Sequence, residues 1–401
     1  MAARSSKAAA VEAPQQERDG VDEPVPWEFT PEAVEASREG AYEPYKAEMK
    51  ENNSLPATFM QNNPWLATPA PGTDLVFGEF YEEGSEFEGY PKKYYDTLPM
   101  DEHPYYKDLD YPKPTKDIQR LRHDLYDWGF CLIEDAMTPE QTERFRSRVE
   151  AQAAGERASG TAYTSGSFQI VWSLINKGRV FEQIMNHDPA AVQAGPMIER
   201  LITETIGGGW SNLNGGAANI AFPGCHPQGL HQDQAASGWT TPNAPTMLNS
   251  MFILQDVDHI NGGTLFIPGS HKIIEEAVRT GKPLGKLPPS CNLKAKAGTV
   301  MLFEGRVLHG TGANRSDQWR YVVTIANVKP WLRQQENTML GLRPEVLDRA
   351  TEKLMQRLVR ANRNGFVGPL SVLNCRKTIT LTRQARDKHK DIHSKKKNAA
   401  V

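Results

Sequence analysis

The chain has 401 residues, of which 39% are hydrophobic and 24% are charged, and its net charge is −3. This length can bury one large core or two smaller ones, and the composition is that of a globular protein. No run of eighteen apolar residues occurs, and the first twenty residues lack the apolar segment of a secretory signal. The four cysteines are widely spaced and form no C-x-x-C pair. We therefore expect reduced thiols, no membrane span and a cytoplasmic location.

The first 115 residues are acidic, with 10 Lys and Arg against 23 Asp and Glu, a net charge of −13. They show little periodicity, but they contain more aromatic rings than a solvated tail needs, including Trp27, Trp65 and Phe80. We predict that residues 1–25 are disordered. We expect the remainder of this acidic extension, about 26–115, to form an extended strap packed on the core.

Two helices and a strand are predicted at the start of the next region, 116–335, which we interpret as the main domain. The first helix ends at Gly129, and its buried face follows a 3-4-3 spacing: Ile118, Leu121, Leu125 and Trp128. The run "FCLIEDAM" then predicts a strand. A second helix begins after Thr138, with Pro139 at its first position and Gln141 completing a capping box.

Short apolar runs separated by Gly, Pro and Asn dominate the chain from about residue 210. The runs are "GGAANIAFPG", "TMLNSMFILQDV", "GTLFIPGSH", "AGTVMLFEG" and "RYVVTIANV". Many short strands at this spacing indicate an all-β sandwich or barrel. The fold class predicted for the chain is therefore mainly β with flanking helices.

The C-terminal region, 336–401, is predicted to contain one helix and a basic tail. The helix begins at Pro344 and ends at Gly365, with leucines along one face. Residues 376–397 hold nine Lys and Arg against two Asp, a net charge of +7. No aromatic residues that would stack on bases occur among these charges, which argues against nucleic-acid binding.

Candidate metal ligands occur in "GLHQDQAASG", where His231 and Asp233 lie two residues apart just after the first predicted β run. On an extended segment, both side chains point to the same side and can hold one ion. With ten histidines and 49 acidic residues in the chain, roughly one His-x-Asp or His-x-Glu is expected by chance. A second copy, His389-x-Asp391, lies in the basic tail, where a metal site would be poorly pre-organised.

A second histidine is needed to complete a two-histidine, one-carboxylate site, which is typical of non-haem Fe(II) oxygenases. The best candidate is His309, directly after the run "TVMLFEG". His226, His259 and His271 lie in or beside predicted turns. We interpret His271 as a turn or surface residue rather than a ligand.

Arg320 begins the last strong predicted strand, and Thr311 lies two residues after His309. Enzymes of this class use 2-oxoglutarate, whose distal carboxylate needs a fixed cation inside the barrel. Arginine suits this role because its planar fork binds a carboxylate through two hydrogen bonds and stays charged when buried. The hydroxyl of Thr311 is a candidate second donor to the same carboxylate.

Over about residues 116–330, the sequence resembles the phytanoyl-CoA dioxygenase family of Fe(II)/2-oxoglutarate oxygenases. The resemblance rests on His231-x-Asp233, "NGGTLFIPGSH", "HGTGANRS" and an arginine eleven residues after His309. It implies a double-stranded β-helix core of the jelly-roll, cupin-like type. It also implies that His231, Asp233 and His309 bind iron, that Arg320 and Thr311 bind 2-oxoglutarate, and that O2 is consumed. A polar residue on the preceding strand often assists, and Asn219 is the candidate.

The reaction implied by this resemblance is hydroxylation, with release of succinate and CO2. The loop "AASGWTTPNAPTM", with Trp239 as a candidate for the mouth of the site, indicates a small, largely apolar substrate such as a lipid, terpenoid or other secondary metabolite. Related halogenases have Ala or Gly at the position of Asp233, so the carboxylate favours oxygen transfer. Desaturation, epoxidation and rearrangement stay open because substrate pose decides between them. Two alternatives are a hydroxylase of protein or nucleic acid that docks through the charged tails, and a cupin-like binding protein without catalysis. The sequence leaves the oligomeric state unknown.

Overall fold

The computed structural model describes residues 97–165, 168–236, 244–282 and 287–359. Its helices, numbered in chain order, are α1 (Ile118–Trp128), α2 (Pro139–Ala158), α3 (Arg179–Met185), α4 (Gly195–Ile206), α5 (Asp233–Ala236), α6 (Ser270–Thr280), α7 (Thr338–Gly341), α8 (Pro344–Arg349) and α9 (Glu352–Val359). A short 3-10 helix spans Leu174–Asn176. Among the described residues, no helix combines the length and apolar composition needed to cross a membrane.

The strands form two antiparallel sheets, and their bounds are β1 (Phe130–Ile133), β2 (Tyr163–Ser165), β3 (Phe168–Val171), β4 (Ser211–Asn212), β5 (Ala217–Ala221), β6 (Met247–Ile253), β7 (Leu265–Phe266), β8 (Cys291–Asn292), β9 (Val300–Glu304), β10 (His309–Gly310) and β11 (Arg320–Val328). The major sheet has the order β1-β9-β6-β11-β5-β3-β2, with β4 paired to β11. The minor sheet has the order β10-β7-β8. This is a mainly β fold with flanking helices and a double-stranded β-helix core, which confirms the predicted fold class.

The two faces of the major sheet pack against different partners. In the register of the sheet, Val322 of β11 lies opposite both Ile253 of β6 and Asn219 of β5. Side chains directly opposite one another point to the same face. This inner face packs toward the minor sheet, because Val322 and Ile253 belong to one buried cluster with Phe266 of β7. The outer face packs against the helices through a second and larger cluster.

The first two helices form as their sequences predict. The Gly129 amide caps α1 by donating to the Leu125 carbonyl, and Gly129 has the left-handed φ of 80° that glycine tolerates best. Thr138 and Gln141 form the predicted capping box at the start of α2, with Pro139 in the first turn. Both helices contribute to the cluster on the outer face, α1 beside β1 and α2 against β3 and β11.

Residues 97–115 cross the open edge between the two sheets. Pro99 forms a parallel bridge to β8, and Thr115 forms one to β1. Between them, Tyr106 is completely buried, so this stretch is packed on the core. It also walls a cavity of about 430 Å³ that has an apolar floor. The rest of the predicted strap, 26–96, lies outside the described residues.

The prediction of one continuous helix from Pro344 to Gly365 was wrong, because the structure has two helices there. Ala350 adopts an extended conformation with ψ of 132°, so α8 ends at Arg349 and α9 begins at Glu352. The break lets leucines of both helices, including Leu347 and Leu354, enter the same core cluster. Other predictions also fall outside the described residues: the disordered start, the basic tail, the helix end at Gly365, the reduced state of the cysteine at 375, the loop residue Trp239 and the His389-x-Asp391 pair.

Candidate active site

His231 and His309 are brought together by the backbone. They form an antiparallel bridge in which the His231 amide donates to the His309 carbonyl at 2.9 Å, and the reverse bond measures 3.0 Å. Their ring centroids are 4.5 Å apart. His309 belongs to β10, so the backbone at His231 adds one bridge to the edge of the minor sheet. Residues 78 positions apart in sequence thus become direct neighbours.

Asp233 completes the cluster from a different local structure than the one predicted. The extended segment ends at Gln232, and Asp233 begins the single turn α5. Its Oδ1 lies 3.4 Å from His231 Nε2, and its Oδ2 lies 3.4 Å from His309 Nε2. One ligand atom from each of the three residues lies within 4.8 Å of the others. The structure therefore brings together all three residues that the sequence proposed as ligands.

The two imidazole rings are held in matching orientations. His231 Nδ1 lies 2.9 Å from the Gly229 carbonyl, and His309 Nδ1 lies 3.0 Å from the Val307 carbonyl. A carbonyl accepts only from a protonated nitrogen, so each Nδ1 carries a hydrogen and each Nε2 faces the cluster. When either ring is neutral, this arrangement leaves its Nε2 lone pair available to a cation.

The charges of the cluster also suit a cation. Burial acts to lower the pKa of His231, but the hydrogen bond and the negative charge of Asp233 outweigh it and raise this pKa. Burial acts to raise the pKa of Asp233, but the charge of His309 and the hydrogen bond of His231 hold it well below its usual value. The carboxylate is thus ionised and already attracts positive charge to this point.

Asn249 of β6 is a member of the site that the sequence analysis missed. Its Nδ2 donates to Asp233 Oδ2 at 2.7 Å, and the residue is completely buried. The sequence does contain a signal, because this amide interrupts the apolar alternation of Met247, Met251 and Ile253 on the inner face. A buried polar side chain in such a stripe needs a partner.

Arg320 lies on the same inner face, at the start of β11. It is opposite Ala221, two residues along β5 from Asn219. The side chain is 1% exposed, and its Nε and Nη2 have no hydrogen-bond partner among the described residues. Burial lowers the pKa of Arg320 to about 10, which still leaves it charged at neutral pH. A buried cation that lacks an anion among the described residues is a candidate to bind an anionic ligand.

Thr311 and Asn219 have different surroundings. The Thr311 hydroxyl donates to Gln228 Oε1 at 3.2 Å, and the Thr311 amide approaches the same oxygen at 3.3 Å. Asn219 is half-buried and shares the inner face with Arg320. Gln228 was not singled out in the sequence, where a lone glutamine in a Gly- and Pro-rich stretch gives no signal.

His271 was interpreted as a turn or surface residue, and that description was wrong. It lies in the first turn of α6 and is 2% exposed. Its Nε2 lies 3.1 Å from the Tyr126 carbonyl, and burial lowers its pKa. His271 is not in the metal-ligand cluster, as expected. Its role is to pack α6 against α1, since its ring would also contact any side chain placed at Gly129.

Comparison with known proteins decides the family. The family model of phytanoyl-CoA dioxygenase matches residues 125–322. Dioxygenase andF of Emericella variicolor is 33% identical over 225 residues, which cover 52% of this chain and 72% of that protein. The chain belongs to the phytanoyl-CoA dioxygenase family.

A further relative and a solved structure share less sequence identity with this chain. The Fe(II)/2-oxoglutarate-dependent dioxygenase nvfF of Aspergillus novofumigatus is 24% identical over 227 residues, covering 53% of this chain and 72% of that one. The crystal structure of the non-haem alpha-ketoglutarate-dependent carbocyclase SnoK, from nogalamycin biosynthesis, covers 58% of this chain and 95% of its own. It has 16% sequence identity and a TM-score of 0.44.

As a member of the phytanoyl-CoA dioxygenase family, the protein is an Fe(II)/2-oxoglutarate-dependent dioxygenase. The residues of the cluster and of its surroundings suit both Fe(II) and 2-oxoglutarate. Two imidazole nitrogens and one carboxylate, gathered in one cluster, are the donor set that non-haem Fe(II) takes in oxygenases. The guanidinium of Arg320, whose Nε and Nη2 have no partner among the described residues, has the planar fork that suits a carboxylate of the co-substrate.

Proposed function

We propose that His231, Asp233 and His309 bind the iron of this dioxygenase. The observation that carries the proposal is the convergence of their three ligand atoms within 4.8 Å. Both histidines have Nδ1 committed to a backbone carbonyl, so Nε2 is the ligating atom in each. Because the three residues come from two separate segments of the minor sheet and one helical turn, the site forms only in the folded protein.

Arg320 is proposed to bind the distal carboxylate of 2-oxoglutarate. Its side chain is buried on the inner face that also carries Asn249, the partner of Asp233. A carboxylate that reaches Arg320 would satisfy its buried Nε and Nη2. Binding of 2-oxoglutarate by Thr311 and Asn219 remains a prediction. For Thr311, the hydroxyl would have to turn from Gln228 toward the co-substrate.

Hydroxylation is the proposed outcome. Iron bound with 2-oxoglutarate supplies an oxidant strong enough for an unactivated C–H bond, with release of succinate and CO2. The residues of the chain bind and orient the reactants, and Asp233 provides the carboxylate that halogenases lack. The low pKa of Asp233 keeps it ionised, so it stays available to a cation across the neutral range.

The proposal of a small, largely apolar substrate is supported by the residues at the β2–β3 edge of the major sheet. In the register, Tyr163 of β2 lies opposite Ile170 of β3, which lies opposite Asn219. These side chains therefore share the inner face with Arg320. The rings of Tyr163 and Trp172 touch, with centroids 6.1 Å apart, and the two residues are 52% and 37% exposed. No charged residue occupies the inner positions of β2, β3 or β5.

Single substitutions test the iron site. We expect His231→Ala, Asp233→Ala and His309→Ala each to abolish 2-oxoglutarate turnover and to lose stoichiometric Fe(II), because an open three-ligand site depends on every ligand. His271→Ala is the control, since its ring is buried but lies outside the cluster. Iron content after anaerobic loading is the measurement. Loss of iron from His271→Ala but not from His309→Ala would contradict the proposal.

A further inference from the structure

Asn249 occupies an unusual place for an amide. It lies in the middle of β6 on the inner face, and the residues directly opposite it are Phe303 of β9 and Ala326 of β11. Its own strand presents Met247 and Met251 to the same face. Transfer of an amide into such surroundings costs free energy unless it forms hydrogen bonds. Packing alone would favour an aliphatic residue at this position.

The amide has a single hydrogen-bond partner among the described residues. Nδ2 donates to Asp233 Oδ2 at 2.7 Å, whereas Oδ1 is buried without a partner. The orientation of the amide follows from chemistry, because a flipped side chain would place two oxygens 2.7 Å apart. The acceptor oxygen of Asn249 thus has no partner among the described residues, and the one hydrogen bond of its side chain is directed at the carboxylate of the proposed metal ligand.

The backbone around Asp233 is held by other contacts. The Gln234 amide donates to the Gly305 carbonyl at 2.8 Å, and the Gln232 side chain donates to the Arg306 carbonyl. These two bonds fix the main chain on both sides of Asp233. What they leave free is rotation of the carboxylate, and this is the freedom that the Asn249 bond removes.

We propose that Asn249 is a positioning residue that holds the Asp233 carboxylate so that Oδ1 alone ligates the iron. This inference rests on the proposed function of the cluster. Each Asp233 oxygen lies 3.4 Å from one histidine Nε2, Oδ1 from His231 and Oδ2 from His309, so the Asn249 bond to Oδ2 is what distinguishes them. A short hydrogen bond to an ionised oxygen stabilises its charge, which makes Oδ2 a poorer ligand. Single-oxygen ligation leaves one more position on the ion for 2-oxoglutarate and O2.

Asn249→Leu tests this role, with Co(II) as the probe and Met251→Leu as the matched control on the same strand and face. We expect the metal-free variant to unfold at the same temperature as the wild type or higher, because leucine suits the apolar stripe. We expect its Co(II) affinity to fall about 10- to 100-fold, the usual effect of losing a partner of a metal ligand. Its visible Co(II) spectrum should also change, since a freed carboxylate can bind through both oxygens.

The outcomes separate this inference from the proposed function. If wild-type protein binds Co(II) no more tightly than His231→Ala does, the metal site itself is wrong. If the wild type binds Co(II) through His231 but Asn249→Leu keeps the same affinity and spectrum, only the role of Asn249 is overturned. Asn249→Ala covers the case in which leucine does not fold. It should lose the same Co(II) affinity, and unchanged affinity would again overturn the role.

Discussion

Two buried arginines, one on each side of β10 in the chain, differ in what surrounds them. Arg306, in the turn after β9, is hydrogen-bonded to Glu304 and forms an ion pair with Glu275 at 2.6 Å. Arg320, at the start of β11, has buried Nε and Nη2 atoms without a partner among the described residues. Both residues are at most 5% exposed. The two side chains are therefore similarly buried, but only Arg306 has carboxylates beside it among the described residues.

The pKa values follow this difference. Burial acts to lower the pKa of Arg306, but the hydrogen bond and charge of Glu304 outweigh it and raise the pKa above its usual value. Burial lowers the pKa of Arg320 to about 10, and no carboxylate opposes the effect. A cation neutralised by its own chain serves the fold, whereas one left without an anion is available to a ligand. Partners, rather than burial, therefore distinguish the arginine that stabilises the fold from the one proposed to bind a ligand.

Removing the paired arginine should have the largest effect on stability. Arg306→Met leaves Glu304 buried without its cation, so we expect the free energy of unfolding to fall by about 3–5 kcal/mol. Denaturant unfolding followed by circular dichroism measures it. The double variant Arg306→Met/Glu304→Leu should recover most of the loss, because it removes both charges. A loss below about 1 kcal/mol in the single variant would break the contrast with Arg320.

Changing the unpaired arginine should impair ligand binding rather than the fold. Arg320→Lys keeps the charge but loses the fork, and one lost charge-assisted hydrogen bond of about 1.5–3 kcal/mol means roughly 10- to 150-fold weaker 2-oxoglutarate binding. Iron binding should be unchanged. Titration of 2-oxoglutarate into the anaerobic Fe(II)-loaded protein, followed by its visible charge-transfer band, gives the dissociation constant. An unchanged constant would remove Arg320 from the site.

The smallest effect is expected at Thr311. Its hydroxyl donates to Gln228 and is proposed to turn from there to 2-oxoglutarate. Thr311→Val removes this hydroxyl, so one neutral hydrogen bond to the co-substrate, of about 0.5–1.5 kcal/mol, is lost, or roughly 2- to 12-fold in 2-oxoglutarate affinity. The same titration measures it, with Ser316→Ala as a control in the loop that follows. A loss as large as that of Arg320→Lys would mean that Thr311 contacts the co-substrate charge directly.

Much of the candidate site could be predicted from the sequence, because several of its residues lie in or beside short sequence patterns. The His231-x-Asp233 pair is a short motif, His309 follows a strand with a clear apolar pattern, and Arg320 begins another such strand. Asn249 and Gln228 were missed because their roles depend on partners 16 and 83 residues away, which no local pattern encodes.

The errors have the same origin. The helix from Pro344 was predicted as one element because its leucines are regularly spaced, but packing breaks it at Ala350. His271 follows a Pro-Gly turn, so it resembles a surface residue, yet α6 folds it against α1. In both cases a tertiary contact overrides the local signal.

Anaerobic equilibrium dialysis of Fe(II), with and without 2-oxoglutarate, tests most directly whether iron and co-substrate are held by separate residues. We predict one iron per chain for the wild type and for Arg320→Met, and none retained by His309→Ala. We also predict that 2-oxoglutarate is retained with the iron by the wild type but not by Arg320→Met. Retention of iron by His309→Ala, or of co-substrate by Arg320→Met, would contradict the account.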